Sequence, residues 1–372
     1  MKAIASRRIG PLLAAILAGP CCVLGQEVIK LDSPLERQVF QRDASQHASV
    51  TVAGTAKPDA TVIEAKADLS AEATRGRGVG WTLIAQGAQI KEGKFSGRLT
   101  LPTGGWYQLA VRARKGEEVV AEGTIRKVGV GEVFVTAGQS NSTNYGGARQ
   151  KAQDDRVVYF DAKAFVPAAD PIPDSCGGGG TPWPILGDLV ARTIQAPVCF
   201  RSATVNWLRV REWVPGAKSG NFERLVERVK WFSPGGVRAV LWHQGEADSG
   251  RRDYTPTEQY ALELAAAIQG LRKEVGYQVD WFLAGASYCP PKSGGPDSNE
   301  WQPGIDSTLA AQKSLCDKQI ASRGPDTNDL VGRHRSDGVH FSQLGLQTHA
   351  ERWYAALSAK YNYANPVSST LK

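Results

Sequence analysis

From residue 26 to about 128, apolar and polar residues alternate with period two in short runs. "SVTVAGTA", "WTLIAQGAQI", "KFSGRLTL" and "WYQLAVRAR" are separated by Gly, Pro, Asp and Lys clusters, with a polar loop over 68–80. Several short strands at this spacing predict a small β-sandwich of immunoglobulin-like type. After Gly129 the period changes. Apolar strands at Glu132–Ala137, Val198–Thr204, Val237–Trp242 and Val279–Ala286 alternate with amphipathic helices, which predicts an α/β domain with a parallel sheet over 129–361. "PWPILGDLVARTI" and "FERLVERVKWF" each gather their apolar residues on one helical face. In "TPTEQYALELAAAIQGLRKE", Thr255 is the expected N-cap, Pro256 the first helical residue and Glu258 the partner in a capping box. A last helix is expected from near Ser342, with a loose tail over 362–372.

The first 25 residues do not fit either pattern. "MKAIASRRIGPLLAAILAGPCCVLG" has a basic start, an apolar run and small residues at its end, the pattern of a signal peptide cleaved before Gln26. Pro11 and Pro20 interrupt the run, which is shorter than the ~20 residues a spanning helix needs. The expected location is therefore periplasmic or secreted, with no membrane contact after cleavage. The remaining chain carries 41 basic and 37 acidic residues, a mild +4. No basic run or stripe is present, so nucleic acid is not an expected partner. Cys176, Cys199, Cys289 and Cys316 form no C-x-x-C pair; in an oxidising compartment they predict one or two disulfides, with Cys289–Cys316 the first choice.

Ligands of open parallel sheets gather outside the carboxyl ends of the strands. Four polar segments fall there: Ser140 in "VFVTAGQSNSTNYGG", "NWLRVREW" from Asn206, "HQGEAD" over 243–248, and "DGVHFS" over 337–342. A serine esterase needs a nucleophile, a base and a carboxylate that orients the base. Of the five histidines, His349 lies within the last helix and reads as structural, and His47 lies in the β-region. His340 has Asp337 three residues earlier in a Gly-containing loop, so the carboxylate can fold back onto the imidazole. Ser140, His340 and Asp337 are thus the expected catalytic residues. His243, Glu246 and Asp248 lack the spacing of a zinc helix and read as braces of the rim, with no metal expected. Gly177–Gly180 lacks the Lys-Ser/Thr of a phosphate loop and reads as a flexible active-site loop.

"GQSN" after a strand, "WHQGEAD" after a later one and "DGVHFS" before the last helix resemble the sialate O-acetylesterase-like branch of the SGNH (GDSL-type) hydrolases. The resemblance covers residues 131 to about 358. It implies a three-layer α/β fold, nucleophilic Ser140, base His340 with orienter Asp337, and Gln244 in the oxyanion hole with the backbone N–H of Ser140. Relatives of that branch carry a Gly-Gly pair after the second strand. Here Asn206 and Trp207 stand in that place, Asn206 keeping a backbone donor and Trp207 either crowding the site or forming a new wall for a sugar. Gln139, Asn141, Trp207 and Glu246 are the residues expected to meet substrate. The implied protein is an exported, monomeric, cofactor-free esterase that deacetylates a carbohydrate. Two alternatives stay open: a non-catalytic carbohydrate-binding protein on the same scaffold, and a lipase or thioesterase of the same fold.

Overall fold

The computed structural model describes residues 27–250, 253–286, 288 and 302–363. The expected signal peptide, Cys289 and the chain after Tyr363 lie outside the described residues. Eight strands come first: β1 (Glu27–Val28), β2 (Lys30–Ser33), β3 (Gln38–Gln41), β4 (His47–Thr55), β5 (Val62–Leu69), β6 (Val79–Gln86), β7 (Lys94–Pro102) and β8 (Gly104–Lys115). β2, β4 and β7 form an antiparallel sheet of three. Val50, Val52, Leu99 and Leu101 from that sheet pack with Ile63, Ala65, Leu109 and Val111 of β5 and β8 in one apolar core. Alternation along β4 follows from this, since only one of its faces meets that core.

The ninth strand joins the two halves of the molecule. β9 runs unbroken from Glu118 to Gly138, 21 residues. Its first part pairs antiparallel with β8 and parallel with β1 and β3. Its second part is the centre of the following sheet. The sequence boundary at 128–129 falls inside this strand. The change of period after Gly129 marks no break in the strand: Gly129 and Gly131 are close approaches to Pro197. A Cβ on Gly131 would come within 1.9 Å of the Pro197 carbonyl oxygen. Below that crossing, buried Glu132 pairs with Arg42 at 2.6 Å and with Arg238 at 2.6 Å.

The rest of the chain contributes, in order, β10 (Val157–Phe160), β11 (Phe165–Pro167), α1 (Trp183–Ile194), β12 (Val198–Ser202), α2 (Asn221–Lys230), β13 (Ala239–His243), α3 (Glu246–Ser249), α4 (Thr257–Val275), β14 (Asp280–Gly285), α5 (Gln302–Asp317), β15 (Ser322–Asp326) and α6 (Gln343–Tyr361). The sheet order is β11-β10-β12-β9-β13-β14-β15, parallel except for edge strand β11. Val133, Val135 and Ala137 pack with α2, α4 and α5; Phe134 and its neighbours pack with α1 and α6. Three layers result. After β9 the chain builds β10, β11 and β12 on one side and then β13 on the other, so a crevice opens at the carboxyl end of β9.

Three local expectations need correction. α4 starts at Thr257 with Pro256 as its N-cap and no side-chain cap. The Thr255 hydroxyl donates instead to Asp248 at 2.5 Å, because the buried carboxylate competes for it. Tyr363, placed in the loose tail, is buried with its ring 5.7 Å from that of Tyr361. Cys176, Cys199 and Cys316 carry free thiols, so no disulfide is present among the described residues. α6 has the cap its sequence suggests, with Ser342 Oγ accepting from Gly345 N at 3.2 Å.

Candidate active site

β9 ends at Gly138 with φ +123°. An added Cβ would meet the His243 carbonyl oxygen of β13 at 2.0 Å, so glycine alone fits between the two strand ends. The chain then turns through Gln139 into one 3-10 turn, Ser140–Ser142. Ser142 Oγ closes that turn by donating to the Gln139 carbonyl at 3.0 Å. Ser140 is 0% exposed, and its Oγ has no hydrogen-bond partner. A buried hydroxyl without a partner costs about 1–3 kcal/mol, so this position is not optimised for stability.

Beneath the turn lies a buried polar chain in which His243 and Glu246, read from the sequence as braces, join Asn141 and His349. Asn141 Nδ2 donates to Glu246 Oε1 at 2.7 Å. His243 Nε2 is 3.1 Å from the same oxygen, and His243 Nδ1 is 3.2 Å from His349 Nε2. The network assigns the tautomers: each ring donates from Nε2, His349 to His243 and His243 to Glu246. Burial drives the Glu246 pKa up, but His243 and Asn141 outweigh it and hold the carboxyl at about 2. Burial and the neighbouring His243 push the His349 pKa well below 6.5, which keeps that ring neutral. His349 is structural, as its place in the last helix suggested.

The loop before α6 supplies the second component. Asp337 Oδ2 lies 2.7 Å from His340 Nδ1, while Oδ1 accepts from the backbone N–H of Val339 at 2.9 Å and of His340 at 2.7 Å. Partial burial raises the Asp337 pKa, but these bonds to the ionised form prevail and lower it. With Nδ1–H held by the carboxylate, Nε2 keeps a free lone pair. Arg335 braces the loop. It donates to the carbonyls of Leu330, Thr327 and Val339 and sits 4.0 Å from the Phe341 ring centre. Asn141 Nδ2 also reaches the Val339 carbonyl at 3.3 Å, and Gly147 N donates to Phe341 O at 2.8 Å. These contacts bring the Ser140 turn and the His340 loop together. No hydrogen bond joins Ser140 Oγ to His340 in this structure.

Other expected site residues take different places. The Gln244 amide, assigned to the oxyanion, donates to Leu208 O at 2.9 Å and to Asp248 Oδ2, while its oxygen accepts from Tyr260 at 2.8 Å. Both of its N–H bonds are engaged by these partners. Gln139, Asn141 and Glu246, expected to touch substrate, are buried. Gln139 Oε1 receives Ala247 N at 3.1 Å, tying the Ser140 turn to α3. Asp248 receives Val210 N at 2.9 Å and so anchors the segment carrying Asn206. Asn206 Nδ2 donates to Tyr145 Oη at 2.9 Å. Trp207 alone of the expected substrate residues is exposed, at 39%, and it has φ +51°. That left-handed conformation is one that glycine adopts more readily than tryptophan. Gly177–Gly180, read as a flexible loop, is bridged to Asn144 and Gly146. Among the described residues no group of three His, Cys, Asp or Glu side chains converges as a metal site. No helix there is long and apolar enough to cross a membrane.

Residues 130–356 match the family described as carbohydrate esterase, sialic acid-specific acetylesterase. No curated protein matches the chain. Among solved structures, a carbohydrate acetylesterase from Xanthomonas citri superposes with TM-score 0.56 and 18% identity, over 89% of this chain and 74% of that one. A protein from Arabidopsis thaliana gives TM-score 0.48 and 19% identity, over 62% of this chain and 98% of that one. At such identity the first likeness speaks for the fold alone. The family match spans more than half of the sequence and includes Ser140, Asp337 and His340: the chain belongs to the carbohydrate esterase family of sialic acid-specific acetylesterases.

Proposed function

We propose that this carboxylic ester hydrolase removes O-acetyl groups from a carbohydrate through an acyl-enzyme on Ser140. The observation that carries the reading is the pairing at one rim of two groups with no evident structural use. One is a buried, unpartnered serine hydroxyl after the central strand, and the other an imidazole whose Nδ1 is held by a carboxylate. His340 Nε2 takes the Ser140 proton as Oγ attacks the acetyl carbonyl. The gap between them closes when substrate is bound, as catalytic hydrogen bonds commonly do. The backbone N–H groups of Ser140 and Asn206 hold the oxyanion; Gln244 does not. The imidazolium then protonates the departing sugar oxygen. Water, activated by the same nitrogen, releases acetate and restores Ser140.

Trp207 serves as the platform for the sugar. Its exposed ring and strained backbone sit beside the proposed oxyanion donor. We read the N-terminal strands as an accessory β-sandwich and the first 25 residues as a signal for export; N-terminal sequencing of the periplasmic or secreted protein tests the latter. The test of the chemistry is acetate release from a panel of acetylated polysaccharides, with mass spectrometry of the quenched enzyme. An acetyl adduct on Ser140, absent in Ser140→Ala together with turnover, supports the mechanism. Turnover by a contaminant-free Ser140→Ala preparation would overturn it. A binding-only protein would retain polysaccharide affinity and show neither adduct nor acetate.

A further inference from the structure

We infer that Tyr145 is a positioning residue for the base: its ring face, clamped from behind, holds the His340 imidazole in the plane that Asp337 selects. The inference rests on the reading of His340 as the base. The two rings stack with centroids 5.2 Å apart and planes inclined by 28°. Asp337 fixes only one nitrogen of His340 and leaves the ring free to swing about that bond. A flat neighbour removes that freedom.

The stack is useful only if Tyr145 itself is immobile, and the structure immobilises it on every side. Its hydroxyl accepts from Asn206 Nδ2 at 2.9 Å. Its neighbours are bound in turn: Gly179 N donates to Asn144 O at 2.8 Å, and Gly146 and Gly180 exchange a pair of 2.9 Å bonds. Asn144 also clasps Ile172 in both directions, at 2.9 Å and 2.7 Å. A Cβ on Gly177 would lie 2.8 Å from Tyr145 Cε2, so the glycine strand presses against the ring edge. The Gly177–Gly180 segment thereby acquires a use: it is the backstop of the tyrosine. Asn206 also acquires one beyond its backbone donor, because its side chain links the oxyanion segment to the ring that holds the base.

The effect belongs to the transition state. His340 becomes a cation when it takes the serine proton, and a cation over an aromatic face is stabilised, whereas the neutral ring gains little. Substrate binding involves no such change. Tyr145→Leu, which keeps apolar bulk but removes the flat face, should lower kcat by about tenfold with KM within about twofold, and Tyr145→Phe should restore kcat to within about threefold. Both variants are to be measured beside Ser140→Ala on a soluble acetyl ester, with the rate of Ser140 phosphonylation by a fluorophosphonate as a second readout. That rate should fall in the Leu variant in parallel with kcat, even if the substrate fits differently. A Leu variant with wild-type kcat and phosphonylation rate overturns the inference. So does a Leu variant that changes KM alone, which would make Tyr145 a substrate contact, or a Phe variant as impaired as Leu. If Ser140→Ala stays active and wild-type Ser140 resists the reagent, the underlying mechanism has failed instead.

Discussion

Ser140 and Trp207 are each held in a state that chemistry explains and stability does not. Replacing the unpartnered Ser140 hydroxyl with a hydrogen removes a buried polar group that has no bond to lose. Ser140→Ala should therefore abolish turnover while raising stability by up to about 1–2 kcal/mol, which thermal melts of the two proteins would reveal. A fall in melting temperature would mean that the hydroxyl has a structural partner. Trp207→Gly should relieve left-handed strain of about 1–2 kcal/mol. Its melting temperature should rise slightly. KM should increase for acetylated polysaccharide and stay unchanged for a small aryl acetate, since only the polymer reaches the indole. Equal KM changes for both substrates would count against the platform. Gln244→Ala, in contrast, should act first on stability. It leaves Asp248 and the Leu208 carbonyl each short of a donor, at about 1–3 kcal/mol, and urea denaturation would register the loss even without substrate.

At the scale of elements, the hinge of the site is the junction of β9 with its 3-10 turn. Gly138→Ala puts a methyl where the His243 carbonyl already is, 2.0 Å away, and demands φ +123° of alanine. It should lower both stability and kcat, whereas Ser342→Ala at the N-cap of α6 should remove about 1 kcal/mol with little effect on kcat. Comparing melts and turnover for the two variants separates a cap from a catalytic turn. This contrast also marks what the sequence could disclose. The α6 cap, the faces of α1 and α2, and the Asp337–His340 pair were legible because each depends on residues within a turn of one another. The hydrogen bonds of Gln244 were not legible because its partners, Leu208, Asp248 and Tyr260, include groups 36 and 16 residues away. Of the Asn141–Glu246–His243–His349 chain only the bracing role of His243 and Glu246 was legible, since the links to Asn141 and His349 span 105 and 106 residues. Tyr145 gave no periodic signal at all; only its place five residues after Ser140 could have drawn attention. β10 and β11 escaped notice because they are short, β15 because its sequence Ser-Arg-Gly-Pro-Asp carries no apolar run, and the continuity of β9 because the period changes at Gly129.

For the whole molecule, two buried carboxylates set the acid limit. Burial raises the pKa of Glu132, but Arg238 and Arg42 more than reverse this. Glu246 is held near 2 in the same manner by His243. Both titrate below the value of 4.5 expected in the unfolded chain, so the folded protein binds fewer protons than the unfolded one in that window. Their contribution should be complete above pH about 4.5 and should be lost progressively as pH falls toward 2. Glu132→Gln should cost about 3–5 kcal/mol at neutral pH, because two guanidinium groups lose their counter-ion, and should flatten the acid limb of a stability–pH curve. An unchanged acid limb would assign that limb to other groups. Glu132 sits midway along β9, and the length of that strand has a mechanical meaning. Twenty-one residues of extended backbone reach up to about 70 Å, with the N-terminal sheets clasped to one end and Ser140 mounted just past the other. An enzyme tethered to a polymer through its N-terminal strands would carry tension along covalent bonds into the centre of its catalytic sheet. That load would be taken in shear by the ladders to β12 and β13, the geometry in which sheets resist best, rather than by any flexible joint.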